Sequence, residues 1–94
     1  MRGWNAASEL FVLKVIPAGS ETSRAGFIVS TKVDNRATER NRIKRVLREV
    51  TRLKMKEFKK PVELMVVAKT KCKAVPSAII KSDYLALLKR GRVL

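Results

Sequence analysis

The sequence predicts a two-layer α/β (α+β) sandwich whose elements follow the order β-β-α-β-α. Two segments rich in β-branched residues come first, a long segment with a helical period follows, and a strand-like and a helical segment complete the chain. The total of 94 residues suits one small hydrophobic core. We therefore expect a single domain over residues 1–94.

The first half of the chain predicts two strands joined by a loop. Residues 10–16 are mostly aliphatic and are followed by turn-forming residues, and residues 25–30 repeat the strand-like composition. Because a loop of turn residues joins the two segments, we expect them to pair as an antiparallel hairpin. Residues 1–9 carry no comparable pattern, and we expect this N-terminal segment to be poorly ordered.

A long helix is predicted from residue 36 to about residue 58. Its apolar residues recur with the helical period: Ile43, Val46, Leu47, Val50 and Leu53. The candidate N-cap residues, each with a side-chain oxygen for the free backbone N–H groups, are Asp34, Asn35 and Thr38. Pro61 stops the helical pattern at the other end.

The last two elements are a strand and a second helix. Residues 62–68 contain a run of four apolar residues, which favours a strand covered on both faces. Ser77 is expected to cap the last helix, which ends near Gly91. The apolar stripe of this helix consists of Ile80, Tyr84, Leu87 and Leu88.

The composition limits the chemistry that the chain can perform. Lys and Arg number 22 against 8 Asp and Glu, a net charge of +14, so a polyanionic partner is expected. With no His and one Cys, there is no zinc cluster of the usual kind, no Ser-His or Cys-His nucleophile pair and no disulfide framework. Cys72 is interpreted as a packing thiol. The sequence shows neither a membrane-spanning run nor a signal peptide, and we expect a cytoplasmic protein.

The long helix separates its apolar and basic residues onto two faces. At 100° per residue, its apolar residues fall within about 80° of Ile43. Between about 100° and 200° lie Asn41, Lys44, Arg45, Arg48 and Arg52, with Arg40 and Arg42 flanking them. Residues 32–60 hold 12 basic and 4 acidic residues, a net +8, so acids are too few to neutralise this face. The pattern predicts a helix that docks on phosphates.

At these residues the chain resembles a known family. Arg40-Asn41-Arg42, followed by Ile43-Lys44-Arg45 and Leu47-Arg48-Glu49, is similar to the RNR signature of the bacterial ribonuclease P protein subunit. Residues 26–30 with Lys32, residues 66–68 and residues 87–90 resemble the flanking parts of that family. The resemblance covers about residues 10–90.

The resemblance implies a fold and a function. The fold is similar to the second domain of ribosomal protein S5, with the central helix in a left-handed βαβ crossover, and this chain is expected to lack the family's N-terminal helix. The implied function is to bind the catalytic RNA of ribonuclease P and the 5′ leader of precursor tRNA. In that ribonucleoprotein endonuclease the RNA performs the hydrolysis with Mg²⁺, which the RNA mainly binds, and the protein has no catalytic residue or intrinsic cofactor of its own.

The resemblance and the basic face together assign candidate site residues. The RNA-binding candidates are Lys32, Arg36, Arg40, Asn41, Arg42, Lys44, Arg45, Arg48 and Arg52. The candidates for the leader cleft, which the family forms between sheet and helix, are Val12 and Lys14. Metal ligands are not assigned.

Other interpretations remain open at this point. The charge alone is equally typical of a non-catalytic ribosomal or general RNA-binding protein. An autonomous nuclease would need clustered metal-binding acids, which Asp34, Asp83 and six scattered Glu do not supply. Strands on both sides of the basic helix disfavour a helix-turn-helix DNA-binding module. Trp4 is either a stacking surface or a packing residue, and Lys89, Arg90 and Arg92 are either an electrostatic tail or ordinary helix-end cations.

Overall fold

The computed structural model describes residues 3–94 and contains one four-stranded sheet and two α-helices within that range. The elements are β1 (Trp4–Ala7), β2 (Phe11–Pro17), β3 (Arg24–Ile28), α1 (Ala37–Lys54), β4 (Val62–Ala68) and α2 (Ser77–Arg90). Single 3-10 turns follow α1 at Met55–Glu57 and β4 at Thr70–Cys72. The mixed α/β class and the positions of both long helices are as predicted. Neither helix of the described residues is long and apolar enough to cross a membrane.

The sheet order differs from the predicted hairpin. The strands lie in the order β1-β2-β4-β3, with β4 antiparallel to β2 and parallel to β3. The prediction that residues 10–16 and 25–30 pair with each other was therefore wrong. The apolar strand β4 takes the central position because it buries Val62, Leu64 and Val66 in the core and bonds to a neighbour on each side. The chain from β3 through α1 to β4 forms a parallel βαβ unit.

The N-terminal segment also differs from expectation, because Trp4–Ala7 form the edge strand β1. This strand pairs antiparallel with β2, with Trp4 opposite Val15 and Ala7 opposite Val12. Alanines are weak strand formers, so the four-residue sequence gave no β signal, and the pairing comes from the exposed edge of β2. Met1 and Arg2, part of the segment expected to be poorly ordered, lie outside the described residues.

Both helices pack on one face of the sheet and leave the other face open in the described part of the chain. Helix α1 packs near β3 and helix α2 near β1 and β2. The predicted stripe of α2 is buried in the core, where the rings of Tyr84 and Phe11 meet edge to face at 6.3 Å. The opposite side of the sheet, which we call the open sheet face, consists of Val12, Lys14, Ile16, Ile28, Met65 and Val67. The prediction that residues 62–68 are covered on both faces was therefore wrong.

Helix α1 is rotated slightly from the predicted orientation. Leu53, expected in the core, is 55% exposed, and Thr51 is buried instead. The Thr51 hydroxyl lies 2.8 Å from the Leu47 carbonyl oxygen and 2.6 Å from the Tyr84 hydroxyl. Because a buried tyrosine hydroxyl needs a hydrogen-bond partner, this contact favours Thr51 over Leu53 on the inner side.

The N-cap residues of both helices differ from the predicted ones, and neither helix has a side-chain cap. Arg36 is the N-cap of α1 and Pro76 that of α2, and neither makes a side-chain cap hydrogen bond. Asp34 instead accepts from the backbone N–H of Arg36 at 2.9 Å, which shapes the turn before α1. The Ser77 hydroxyl accepts from Arg42 at 2.9 Å instead of capping α2.

Candidate nucleic-acid interface

The turn that leads into α1 is built around the carboxylate of Asp34. This side chain is 1% exposed and accepts from Nε and Nη2 of Arg36 at 3.0 and 2.8 Å. The Arg36 side-chain and backbone hydrogen bonds hold the pKa of Asp34 well below its usual range. Arg36 remains 58% exposed, and two of its five guanidinium N–H groups are used by Asp34, so three remain for an anion.

The next two arginines of the signature also bind protein acceptors. Nη1 of Arg40 donates to the Asp34 carbonyl oxygen at 3.1 Å. Arg42 donates from Nη1 to the Ser77 hydroxyl and from Nη2 to the Val75 carbonyl, both at 2.9 Å, and pairs with Glu39 at 3.1 Å. The Arg42 side chain is 26% exposed. We call Arg36, Arg40 and Arg42 the internal arginines, because each fixes α1 to its neighbours.

Five further polar residues of the helix form a surface without a side-chain partner among residues 3–94. This surface, the free basic face, consists of Asn41, Lys44, Arg45, Arg48 and Arg52. Lys44 is half-buried and the others are exposed, and no side-chain hydrogen bond or ion pair joins any of them to another group within residues 3–94. From first to last residue the face extends about 16 Å along the helix axis. Four cations are thus available to an external anion.

A groove runs beside this face, between α1 and the edge strand β3. Its volume is about 590 Å³, and Lys44, Arg48 and Arg52 line it from the helix. Arg24, which pairs with Glu63 at 2.8 Å, lines it from the strand, and Phe27 contributes apolar surface. We call this the α1 groove.

Sequence reasoning missed Arg24 and Phe27 as parts of this surface. They come from β3, whose start lies beside the C-terminal half of α1 because the chain crosses from β3 through α1 to the parallel strand β4. The family resemblance implies this crossover, which is the signal for both residues, but the hairpin predicted from the residues alone did not place β3 beside α1.

The other predicted site residues lie elsewhere. Lys32 is exposed in the turn between β3 and α1. Val12 and Lys14 lie on the open sheet face, where Lys14 is opposite Met65 and adjoins a groove of about 440 Å³. The structure therefore brings the predicted residues together as two surfaces on opposite sides of the sheet. No helix of residues 3–94 forms a second wall over Val12 and Lys14.

The free basic face suits a phosphate backbone. Guanidinium groups bind phosphate oxygens in pairs, and cations on successive turns can follow a nucleic-acid strand. Double-helical RNA in particular is recognised mostly through its shape and backbone. The described residues bring no three Cys, Asp or Glu side chains together as a candidate metal cluster.

Comparisons with known proteins agree with this geometry. Residues 1–92 match the profile of the family described as Ribonuclease P. The chain is 36% identical over 89 residues to the ribonuclease P protein component of Desulfatibacillum aliphaticivorans, covering 95% of this chain and 75% of that protein. It is 37% identical over 92 residues to that of Dehalococcoides mccartyi strain 195, covering 98% and 74%.

A solved structure supports the same relationship. The RNase P protein of Staphylococcus aureus superimposes with a TM-score of 0.90 at 26% identity, covering 98% of this chain and 84% of that one. The match extends over nearly the whole sandwich, including β1 and both helices. The chain therefore belongs to the bacterial ribonuclease P protein component family.

Proposed function

We propose that this chain binds the catalytic RNA of ribonuclease P through the free basic face and thereby assists the 5′ maturation of tRNA. Membership in the family supports an RNA-binding role in tRNA processing. The observation that carries the proposal is the set of four α1 cations without a protein partner in residues 3–94. Surface cations usually lie near compensating acids, whereas here they remain available to phosphates.

The internal arginines take a supporting part in the proposal. Arg42 holds α1 against the start of α2, and Arg36 and Arg40 hold the turn before the helix. The free cations are thus presented on a helix whose position is fixed at its first turns. Lys32, Arg36 and Arg40 extend the RNA contact with the N–H groups that remain exposed.

The open sheet face is the proposed site for the 5′ leader of precursor tRNA. Val12 offers apolar surface, and Lys14 offers a cation to a leader phosphate. Hydrolysis belongs to the RNA, with Mg²⁺ held mainly by RNA phosphates. No three Cys, Asp or Glu side chains cluster within residues 3–94, and no step is assigned to a metal held by this chain. The proposed location is the cytoplasm.

Reconstitution tests this function. The chain is combined with a bacterial ribonuclease P RNA, and cleavage of precursor tRNA is measured at low Mg²⁺ with and without protein. We expect a gain in cleavage rate or in substrate affinity, because the protein neutralises phosphates that otherwise require Mg²⁺. If neither quantity improved, the assignment would be wrong.

A competition experiment separates this function from general RNA binding. Unrelated structured RNA is added in excess, and the retained affinity for ribonuclease P RNA is measured at fixed salt. We expect ribonuclease P RNA to be retained. If unrelated RNA displaced the bound ribonuclease P RNA as effectively as unlabelled ribonuclease P RNA does, the alternative of a general RNA-binding protein on the same scaffold would be favoured.

A further inference from the structure

A second basic groove lies at the edge of the sheet that is farthest from the α1 groove. Its volume is about 590 Å³, and it is formed where the start of β1, the start of β4 and the end of α2 meet. The α1 groove borders β3, whereas this groove borders β1, and these are the two outer strands of the sheet. We call it the Trp4 groove; its lining includes Trp4, Lys59, Lys60, Arg90 and Arg92.

The indole of Trp4 is held in place on one side of this groove. Its Nε1 donates to the Gly91 carbonyl oxygen at 2.6 Å, and its backbone pairs with that of Val15. The residue nevertheless remains 39% exposed. A packing role accounts for the buried part of the ring, but the exposed part lines the groove. The ring is thus a prepositioned aromatic surface whose ordering cost has already been met within the fold.

Four cations line the groove together with Trp4 and come from two separate segments. Lys59 and Lys60 precede β4, and Arg90 and Arg92 lie at the end of α2. No acidic side chain lines the groove, and none of the four cations belongs to an ion pair within the described residues. Cations at a helix C-terminus suit the helix dipole, which accounts for the two arginines but not for the two lysines.

Backbone and side-chain hydrogen bonds join the segments that form the groove. The Lys59 N–H donates to the Val93 carbonyl at 3.0 Å, and Nη1 of Arg90 donates to the Ala7 carbonyl at 2.6 Å. Arg92 adopts φ 61, the left-handed position that usually favours glycine after a helix. Gly91 packs closely against the core, where a Cβ would lie 2.8 Å from Leu13 Cδ2 and force that side chain to shift. The groove is therefore a fixed part of the fold.

We propose that the Trp4 groove binds an unpaired nucleotide of single-stranded RNA, with the base against the indole of Trp4 and the neighbouring phosphates against Lys59, Lys60 and Arg92. A partly exposed aromatic ring in a groove lined by cations is the combination that binds single-stranded nucleic acid, because every base has a face that stacks and every phosphate a charge. The site is separate from the free basic face. It does not rest on the proposed function.

The fluorescence of Trp4 reports on this site directly, because the chain contains one tryptophan. A short unstructured RNA strand, such as an eight-residue oligouridine, is titrated into the full chain, and a DNA strand of matched length is titrated in parallel. We expect quenching of the tryptophan emission that saturates with RNA. Stacking and phosphate pairing do not read the ribose, so the proposal holds whether or not DNA also quenches. No quenching by RNA, or quenching by DNA alone, would contradict it.

A matched pair of variants separates the groove from the general charge. Lys59→Gln/Lys60→Gln removes two exposed lysines of the groove, and Lys73→Gln/Lys81→Gln removes two exposed lysines that line neither groove. The log-log salt slope of the binding constant measured by quenching should become shallower by about 1.4 in the first variant and stay unchanged in the second. An equal change of the slope in both variants, or no change in the groove variant, would overturn the proposal.

The aromatic contribution is tested with Trp4→Phe and Trp4→Leu, using anisotropy of a labelled RNA strand. Both variants lose the hydrogen bond to Gly91, but phenylalanine keeps a stacking face and leucine does not. We expect Trp4→Leu to bind about fivefold or more weakly than Trp4→Phe, since stacking contributes about 1–3 kcal/mol per base. Equal affinities would contradict the stacking contact. The fluorescence and anisotropy measurements do not use the ribonuclease P reconstitution. Failure of that reconstitution would therefore leave this proposal to be decided by its own results.

Discussion

The internal arginines lie at the N-terminal end of α1 and the cations of the free basic face lie along its outer side. Both sets are positively charged, but they play different roles. Arg42 is about three-quarters buried and donates to three protein groups, whereas Arg45, one turn further on, is exposed and donates to none in residues 3–94. An arginine in a basic signature is thus not necessarily a ligand contact. Its neighbours in the fold decide whether it fixes the helix or remains available to RNA.

The separation depends on which side of α1 faces the core. Leu47 and Leu53 both lie in the predicted apolar stripe, but Leu47 is fully buried and Leu53 is exposed. We expect Leu47→Ala to lower the free energy of unfolding by about 3 kcal/mol or more, because it leaves a cavity. Leu53→Ala should change it by about 0.5 kcal/mol at most. Chemical denaturation measures both losses. Similar losses would mean that α1 is rotated about its axis relative to this structure and that the free basic face is wrongly assigned.

The second comparison is between one internal arginine and one free arginine. Arg42→Gln removes the hydrogen bonds to Ser77 and Val75, so we expect a loss of about 2 kcal/mol in unfolding free energy. Arg45→Gln should leave stability within about 0.5 kcal/mol, because the side chain has no protein partner in the described range. Denaturation at two salt concentrations checks both variants. If Arg45→Gln were the more destabilising, the two roles would have been assigned the wrong way round.

The smallest expected effect is the pH dependence of the stability that the turn before α1 contributes. The pKa of Asp34 is lowered in the folded state by its hydrogen bonds with Arg36, so its stabilising contribution is present above the unfolded pKa of about 4 and is lost as the pH falls further. Asp34→Asn should therefore be less stable than the parent at pH 7. The difference should narrow below about pH 4. Thermal unfolding across pH 3 to 7 measures it, and a constant difference would exclude this contribution.

Local patterns predicted the parts of the molecule that depend on near neighbours in the chain. The period of α1 and the stripe of α2 follow from residues three and four apart, and the basic face follows from the same arithmetic. The burial of Thr51 in place of Leu53 depends on the hydroxyl of Tyr84, which is 33 residues away along the chain. No helical period contains that partner, so it was not predictable from the segment alone.

Long-range pairing explains the remaining differences. The insertion of β4 between β2 and β3 depends on which strand fills the centre of the sheet, and strand order is not written in any single segment. The internal role of Arg42 depends on Val75 and Ser77, which the fold of residues 69–77 brings to α1. The resemblance to the family identified the signature but did not distinguish its structural arginines from its free ones.

The salt dependence of RNA binding tests the central claim that the free basic face contacts phosphates. Affinity for a bacterial ribonuclease P RNA is measured across salt concentrations for the parent chain, for Arg45→Gln/Arg48→Gln, and for the charge-matched control Lys81→Gln/Lys89→Gln on α2. With about five phosphates neutralised, the parent log-log slope should be about −3.5 to −4.5. It should become shallower by about 1.4 to 1.8 in the arginine variant and remain at the parent value in the control. An unchanged slope in the arginine variant, or an equal change in the control, would contradict the account.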